Sequence, residues 1–200
     1  MIEATYIAHM GSDLTVANAA RVSFGKKSEM EDDPWGPPKL KAKDDKLIRY
    51  LAKHRHISPF GHCFASFHVK APIFVARQLV KHKFLRWNEI SRRYVDDEPE
   101  FYVPDVWRGR SADKKQGSDG VVDVGDWGDT NWACLKAYND LLEHGVAPEQ
   151  ARMVLPQSTM TEWYWSGSLD AFADMCNLRC KDDTQAETRE VARQIDHKMI

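Results

Sequence analysis

Apolar positions along the chain switch between a period near 3.6 and a period near two, and those switches outline its elements. Thr5 to Ile7 reads as a short strand. Ser12 is placed to cap a helix reaching about Val22, with Leu14, Ala17 and Ala20 on one face. From 25 to 43 the pattern breaks: Lys26, Lys27, Glu29, Glu31, Asp32 and Asp33 run into Pro34, Gly36, Pro37 and Pro38, which predicts a solvated loop with no face to bury. Asp44 or Asp45 then restarts a helix through Leu47, Ile48 and Leu51, ending near His54.

Residues 62–70, HCFASFHVK, alternate like a half-buried strand, and after a two-residue joint Pro72 opens the helix IFVARQLVKH. Ile73, Phe74, Val75, Leu79 and Val80 are too apolar for a water-facing helix, which predicts that Arg77 and Gln78 are carried inward. A second loop, rich in Gly and Asp, covers about 108–128. Asp129 or Thr130 caps a helix to Gly145, and Pro148 starts a shorter one from Glu149 to Leu155. Residues 160–166, MTEWYWS, are β-prone. Ser168 caps a helix through Phe172, Met175 and Cys176, and Thr184 with Glu187 spells a capping box for the last helix. Helices and short strands without a regular βαβ rhythm predict an α+β fold, a mixed or antiparallel sheet packed with helices. At 200 residues this is one domain over 1–200, since two cores would each be too small.

Composition narrows the function. A net charge of −2 argues against a general nucleic-acid binder, whose affinity comes from excess Lys and Arg. No stretch approaches the roughly 20 apolar residues of a membrane span, and the first residues lack a basic and apolar leader, so a cytoplasmic protein is expected. Cys63, Cys134, Cys176 and Cys180 contain no CxxC pair and read as structural residues, not as metal ligands or a nucleophile. No GxGxxG joins a strand to a helix, which excludes a Rossmann dinucleotide site.

Against that acidic total, Arg77 to Tyr94 (RQLVKHKFLRWNEISRRY) concentrates Arg77, Lys81, Lys83, Arg86, Arg92 and Arg93 against the single acid Glu89. One reading is a solvated helix end whose cations complement the macrodipole. Another is a nucleic-acid module built on Trp87, Arg92, Arg93 and Tyr94. The apolar helix before the run favours a third, a partly buried anion site, because unpaired buried cations are costly and a bound phosphate relieves them.

The same segment resembles the flavin-dependent thymidylate synthases, whose pattern is Arg-His-Arg, seven residues, Ser, then Arg. Here Lys81, His82 and Lys83 are followed after seven residues by Ser91, then Arg93 and Tyr94. HISPF (56–60), FHVKAPIFVARQ (67–78), NEIS (88–91), EFYVP (100–104), ARMVLP (151–156) and NLR (177–179) look like further family segments in family order.

The resemblance implies methylation of dUMP at C5 with 5,10-methylenetetrahydrofolate as carbon donor and FAD, re-reduced by NADPH, as electron carrier. It implies a homotetramer with active sites shared between subunits. It places dUMP at Gln78, Glu89, Ser91, Arg92, Arg93, Arg152 and Arg179, and FAD at Ser23, His56, Ser58, Lys81, His82, Lys83, Asn88, Glu89 and Asp174. Catalytic roles fall on Arg179, His56 and Ser91. Arg179 is the cation beside an anionic uracil, and Ser91 is a ligand in that site with no base to make it a nucleophile. The chain departs from the pattern at Lys81 and Lys83, at Gly61 where Glu is usual, and at Ser168, Asp170 and Asp174 where Asn, Arg and Asn are usual. Arg86 is a candidate to replace the cation missing at Asp170. A different C5-modified product from the same fold stays open.

Overall fold

Two nine-residue strands that alternate over most of their length build the frame. In the computed structural model, which describes residues 1–95, 97–113, 117–125 and 128–199, β1 (Glu3–Met10), α1 (Asp13–Arg21) and α2 (Ala42–Lys53) precede β2 (Phe64–Pro72). Then come α3 (Ile73–Leu79), β3 (Leu85–Glu89), the short strands β4 (Arg108–Arg110) and β5 (Ser118–Val121), α4 (Gly128–Glu143), α5 (Pro148–Ala151), β6 (Met160–Ser168), α6 (Leu169–Arg179) and α7 (Ala186–Lys198). β1, β2, β6 and β3 form one antiparallel sheet in that order, and β4 and β5 form a separate hairpin. This is the expected α+β class, and every pairing in it is antiparallel.

Register decides which face is closed. Phe67 lies opposite Trp165 and Val69 opposite Trp163, so one face collects the large apolar side chains. They meet Val75 and Leu79 of α3, Phe172 and Met175 of α6, and Val191 and Ile195 of α7. Trp163 and Trp165 are each 1% exposed, and at about 25 cal/mol per Å² such rings contribute on the order of 4–6 kcal/mol each. The alternate positions pair His68 with Tyr164, Ser66 with Ser166 and Lys70 with Glu162. On this polar face Glu162 accepts from His68 at 3.1 Å, the two serines share a 2.8 Å hydrogen bond, and Tyr164 is 53% exposed.

β3 is an edge strand seated by a glycine. A Cβ on Gly167 would fall 2.5 Å from Leu85 Cδ2 and 2.9 Å from the Phe84 carbonyl, so alanine there would push off the start of β3. The chain reaches that contact through Phe84 at φ 66°, an uncommon conformation for a bulky residue.

Several local expectations are corrected. α2 begins at Ala42, and Asp44 is not its cap: fully buried, it accepts from Arg21 and from Ser28. The 25–43 loop therefore does bury a residue, Ser28, to complete that cluster. No joint separates β2 from α3, and α3 stops at Leu79 without reaching His82, leaving Val80 and Arg77 exposed instead of carried inward. The 108–128 loop contains the β4–β5 hairpin. The Thr184–Glu187 capping box does not form: Thr184 Oγ1 donates to the Leu178 carbonyl at 3.2 Å, Gln185 stands at the cap position, and Glu187 pairs with Arg108. No helix among the described residues is long and apolar enough to cross a membrane.

Candidate active site

Arg179 ends α6 at the point where the turn after α3 passes. The His82 amide donates to the Leu79 carbonyl at 3.1 Å, which folds the Lys81–Lys83 turn back over the sheet. Arg179 Nε donates to His82 Nε2 at 3.0 Å. Because a guanidinium cannot accept, His82 must be neutral with its proton on Nδ1. The environment agrees: burial, and then the Arg179 charge, hold the His82 pKa below the usual histidine range, and burial lowers that of Arg179, which stays charged. Arg179, Lys81, Gln78 and Arg77 line an open cleft of about 380 Å³. Arg77, Lys81, Lys83 and Arg86 make no ion pair among the described residues, so the turn holds positive charge with no internal counter-ion.

A second group sits at the end of β3. Glu89 Oε1 accepts from Thr161 at 2.7 Å and its Oε2 from the Trp87 indole at 3.0 Å, while Trp87 stacks on Trp163 with centroids 4.3 Å apart. The chain turns at Ser91, whose Oγ accepts from Arg93 Nε at 3.2 Å, and the Arg93 guanidinium lies 5.0 Å over the Tyr94 ring. Asn88 is exposed on β3 opposite Tyr164. Arg92 differs from its neighbour: it donates to the Asp97 carbonyl, which ties its side chain to its own turn.

The third group lies beyond α2. His56 and Ser58 flank the entry to a 3-10 turn at Ser58–His62, and Tyr50 stacks on His56 at 6.1 Å. Arg55, Ile57, Phe60, Asp170, Asp174 and Asn177 line a cavity of about 170 Å³ beside it. Here Arg55 pairs with Asp174 at 3.3 Å. The cation that meets this acidic site is therefore Arg55, while Arg86 stands on β3 opposite Ser166. The departures at Gly61 and Asp170 are coupled, since a Cβ on Gly61 would lie 3.6 Å from Asp170 Oδ1, a buried oxygen without a partner among the described residues. A Glu at 61 would place a second carboxylate against the first.

Ser23 lies on the 3-10 turn after α1 and is exposed. Arg152 lies on another after α5, where its Nε donates to the Glu149 carbonyl at 3.2 Å. One chain thus brings together Gln78, Lys81, His82 and Arg179, and separately Glu89, Ser91 and Arg93, and separately His56, Ser58 and Asp174. Sequence reasoning assigned no role to Arg55, or to Gln185 and Thr188, which hold the Gln78 amide; Arg55 adjoins His56 in HRHIS, but no motif marks the other two. Burial raises the pKa of Cys63, Cys176 and Cys180, the opposite of an activated thiolate.

A family model described as thymidylate synthase complementing protein matches residues 5–200. A flavin-dependent thymidylate synthase from Thermus thermophilus is 41% identical over 194 residues, covering 93% of this chain and 67% of that one. One from Thermosipho africanus is 39% identical over 195 residues, covering 93% and 80%. Among solved structures, the UMP/dUMP methylase PolB from Streptomyces cacaoi bound with 5-Br dUMP superposes with a TM-score of 0.85 at 31% identity, covering all of this chain and 90% of that one.

Proposed function

This chain belongs to the thymidylate synthase complementing protein family, the flavin-dependent thymidylate synthases, and from that premise we propose how its residues divide the work of methylating dUMP at C5. FAD is the cofactor, and when bound it supplies the reducing electrons of the reaction. The carbon donor is 5,10-methylenetetrahydrofolate and the reductant NADPH. The observation that carries the site assignment is the Arg179–His82 contact at the mouth of a cationic cleft in an acidic chain.

Neutral uracil is a poor carbon nucleophile at C5. Arg179 offers the guanidinium donors left free by its bond to His82 to the N3 and O2 edge, where they stabilise the anionic ring whose electron density makes C5 nucleophilic. His82, held neutral, orients that guanidinium without cancelling its charge. Ser91 and Arg93 are already joined to each other, and they present a hydroxyl and a forked cation to the nucleotide phosphate, as does Arg152. Gln78 and Glu89 complete the dUMP contacts.

The charges at Lys81 and Lys83, which are exposed and unpaired among the described residues, suit a dinucleotide pyrophosphate. Lysine lacks arginine's bidentate fork, so FAD is held less tightly than a pair of arginines would hold it. His56, Ser58, Ser23 and Asn88 complete the flavin contacts. Asp174 joins them with its charge already met by Arg55.

The three groups of residues complete one another in a homotetramer whose sites draw on several subunits. The polar sheet face, with Tyr164 at 53% exposure, supports that reading.

The test is turnover of FAD-loaded protein with dUMP, the folate and NADPH, with UMP as comparator, read by product mass. A product carrying a methyl group in place of the C5 hydrogen of dUMP, a net gain of one CH2, is expected. A hydroxymethylated product, or none from a protein that binds FAD and dUMP, would refute the assignment.

A further inference from the structure

Gln78 is the one neutral side chain lining the cationic cleft, and its amide is held from behind by α7. Gln78 Nε2 donates to Gln185 Oε1, and Gln78 Oε1 accepts from Thr188 Oγ1 at 3.2 Å. Gln185 Nε2 in turn donates to Glu187 Oε2 at 3.2 Å. Arg108, from the β4–β5 hairpin, grips the other carboxylate oxygen, and the Tyr102 hydroxyl donates to the same oxygen at 3.4 Å.

An amide alone can turn over, because its two ends differ little in shape. An ionised carboxylate only accepts, so the end of Gln185 that meets Glu187 must be the NH2. The Gln185 oxygen therefore faces Gln78, the Gln78 NH2 faces Gln185, and the Gln78 oxygen faces the Thr188 hydroxyl. Direction passes along the row from the one member that cannot reverse. Burial pushes the Glu187 carboxyl up, but the hydrogen bonds from Arg108, a backbone amide and Gln185, with the Arg108 charge, together more than offset this and keep it below the usual range, so it stays ionised at neutral pH.

We propose that Glu187 is a positioning residue for dUMP, setting through Gln185 which end of the Gln78 amide faces which neighbour and hence the donor and acceptor that Gln78 offers the cleft. The proposal rests on the reading of that cleft as the dUMP site. It makes the paired strands β4 and β5 part of the binding apparatus without touching substrate, because Arg108 anchors the carboxylate that begins the row.

The experiment is a double-mutant cycle in FAD-loaded enzyme, with dUMP affinity measured by equilibrium titration for Gln185→Ala and Glu187→Gln, each with and without Gln78→Ala. With Gln78 present, each change is expected to weaken dUMP roughly fivefold, about one net hydrogen bond. With Gln78→Ala already in place neither should cost more, and FAD affinity should hold throughout. Equal losses in both backgrounds, or no loss in either, would overturn the proposal. Glu187→Gln strands Arg108, and should that variant not fold, Gln185→Ala, which leaves the ion pair intact, decides alone. A wild type that binds FAD but not dUMP would overturn the cleft assignment and this proposal with it, a result distinct from a failed cycle.

Discussion

Asp44 and Arg179 are both charges that the fold draws away from water, the first wholly and the second in part, and they are treated in opposite ways. Asp44 is fully buried with both oxygens satisfied from its own chain, Oδ1 by Arg21 and Oδ2 by Ser28. Arg179 has one described side-chain bond, through Nε to a neutral imidazole, and lines a cleft with more cations and, among the described residues, no acid. A charge completed internally ties α1, the 25–43 segment and α2 together. A charge left incomplete is a demand for something the chain does not contain. Burial alone does not separate structural from functional ions; the count of partners does.

The comparison predicts that removing each ion breaks a different property. Arg179→Ala should lower dUMP turnover about 10²- to 10³-fold, the scale for losing a donor to a developing oxyanion, with a thermal midpoint close to wild type. Steady-state assays beside melting curves check both halves, and a stability loss as large as the activity loss would make Arg179 a structural ion after all. Asp44→Ala should do the reverse. It strands Arg21, and it should cost about 3 kcal/mol, the low end for a broken buried pair because Arg21 still reaches water. Calorimetry should then show a midpoint lower by roughly 6–12 °C, with turnover below the transition nearly unchanged.

The smallest effect sharpens the contrast at the neutral partner. His82 has a folded-state pKa below its unfolded value, so between the two the unfolded chain binds more protons and stability falls as pH drops through that window. Acidification from about pH 7.5 to 5.5, either side of the ordinary histidine value of about 6.5, should lower the wild-type midpoint more than that of His82→Gln. Glutamine can accept from Arg179 at every pH. The difference between the two proteins should be roughly 1–3 °C, and identical pH profiles would show that the His82–Arg179 contact does not couple to folding.

What the sequence disclosed follows the physics of each signal. The strands at 64–72 and 160–168 were legible, the first as alternation over 62–70 and the second as a β-prone run over 160–166, because such patterns favour one reading once a face is buried. The cationic run was legible because charge clustering against an acidic total is visible without a structure, and its motif carried His82 and Ser91. The capping box was misread because Thr184 and Glu187 fit a local rule, whereas Arg108, far along the chain, competes for the same carboxylate and wins. Asp44 failed for the same reason, its partner Arg21 being 23 residues away. Local patterns describe what a side chain can do nearby, and pairing across the fold decides what it does. The coupling of Gly61 to Asp170 and the placing of Arg55 against Asp174 belong to that second class and had no signature in spacing.

The stack of Trp87 on Trp163, with ring planes 17° apart, also has an optical consequence. Two indoles this close share their far-ultraviolet excitation, and a skewed pair splits that band into lobes of opposite sign in circular dichroism. One ring is buried in β6 and the other rides on the edge strand that carries Glu89 into the site. The part of the couplet that involves Trp87 therefore reports β3 docking, added to the contribution of the Trp163–Trp165 pair at 6.5 Å and at wavelengths where the visible flavin bands do not intrude.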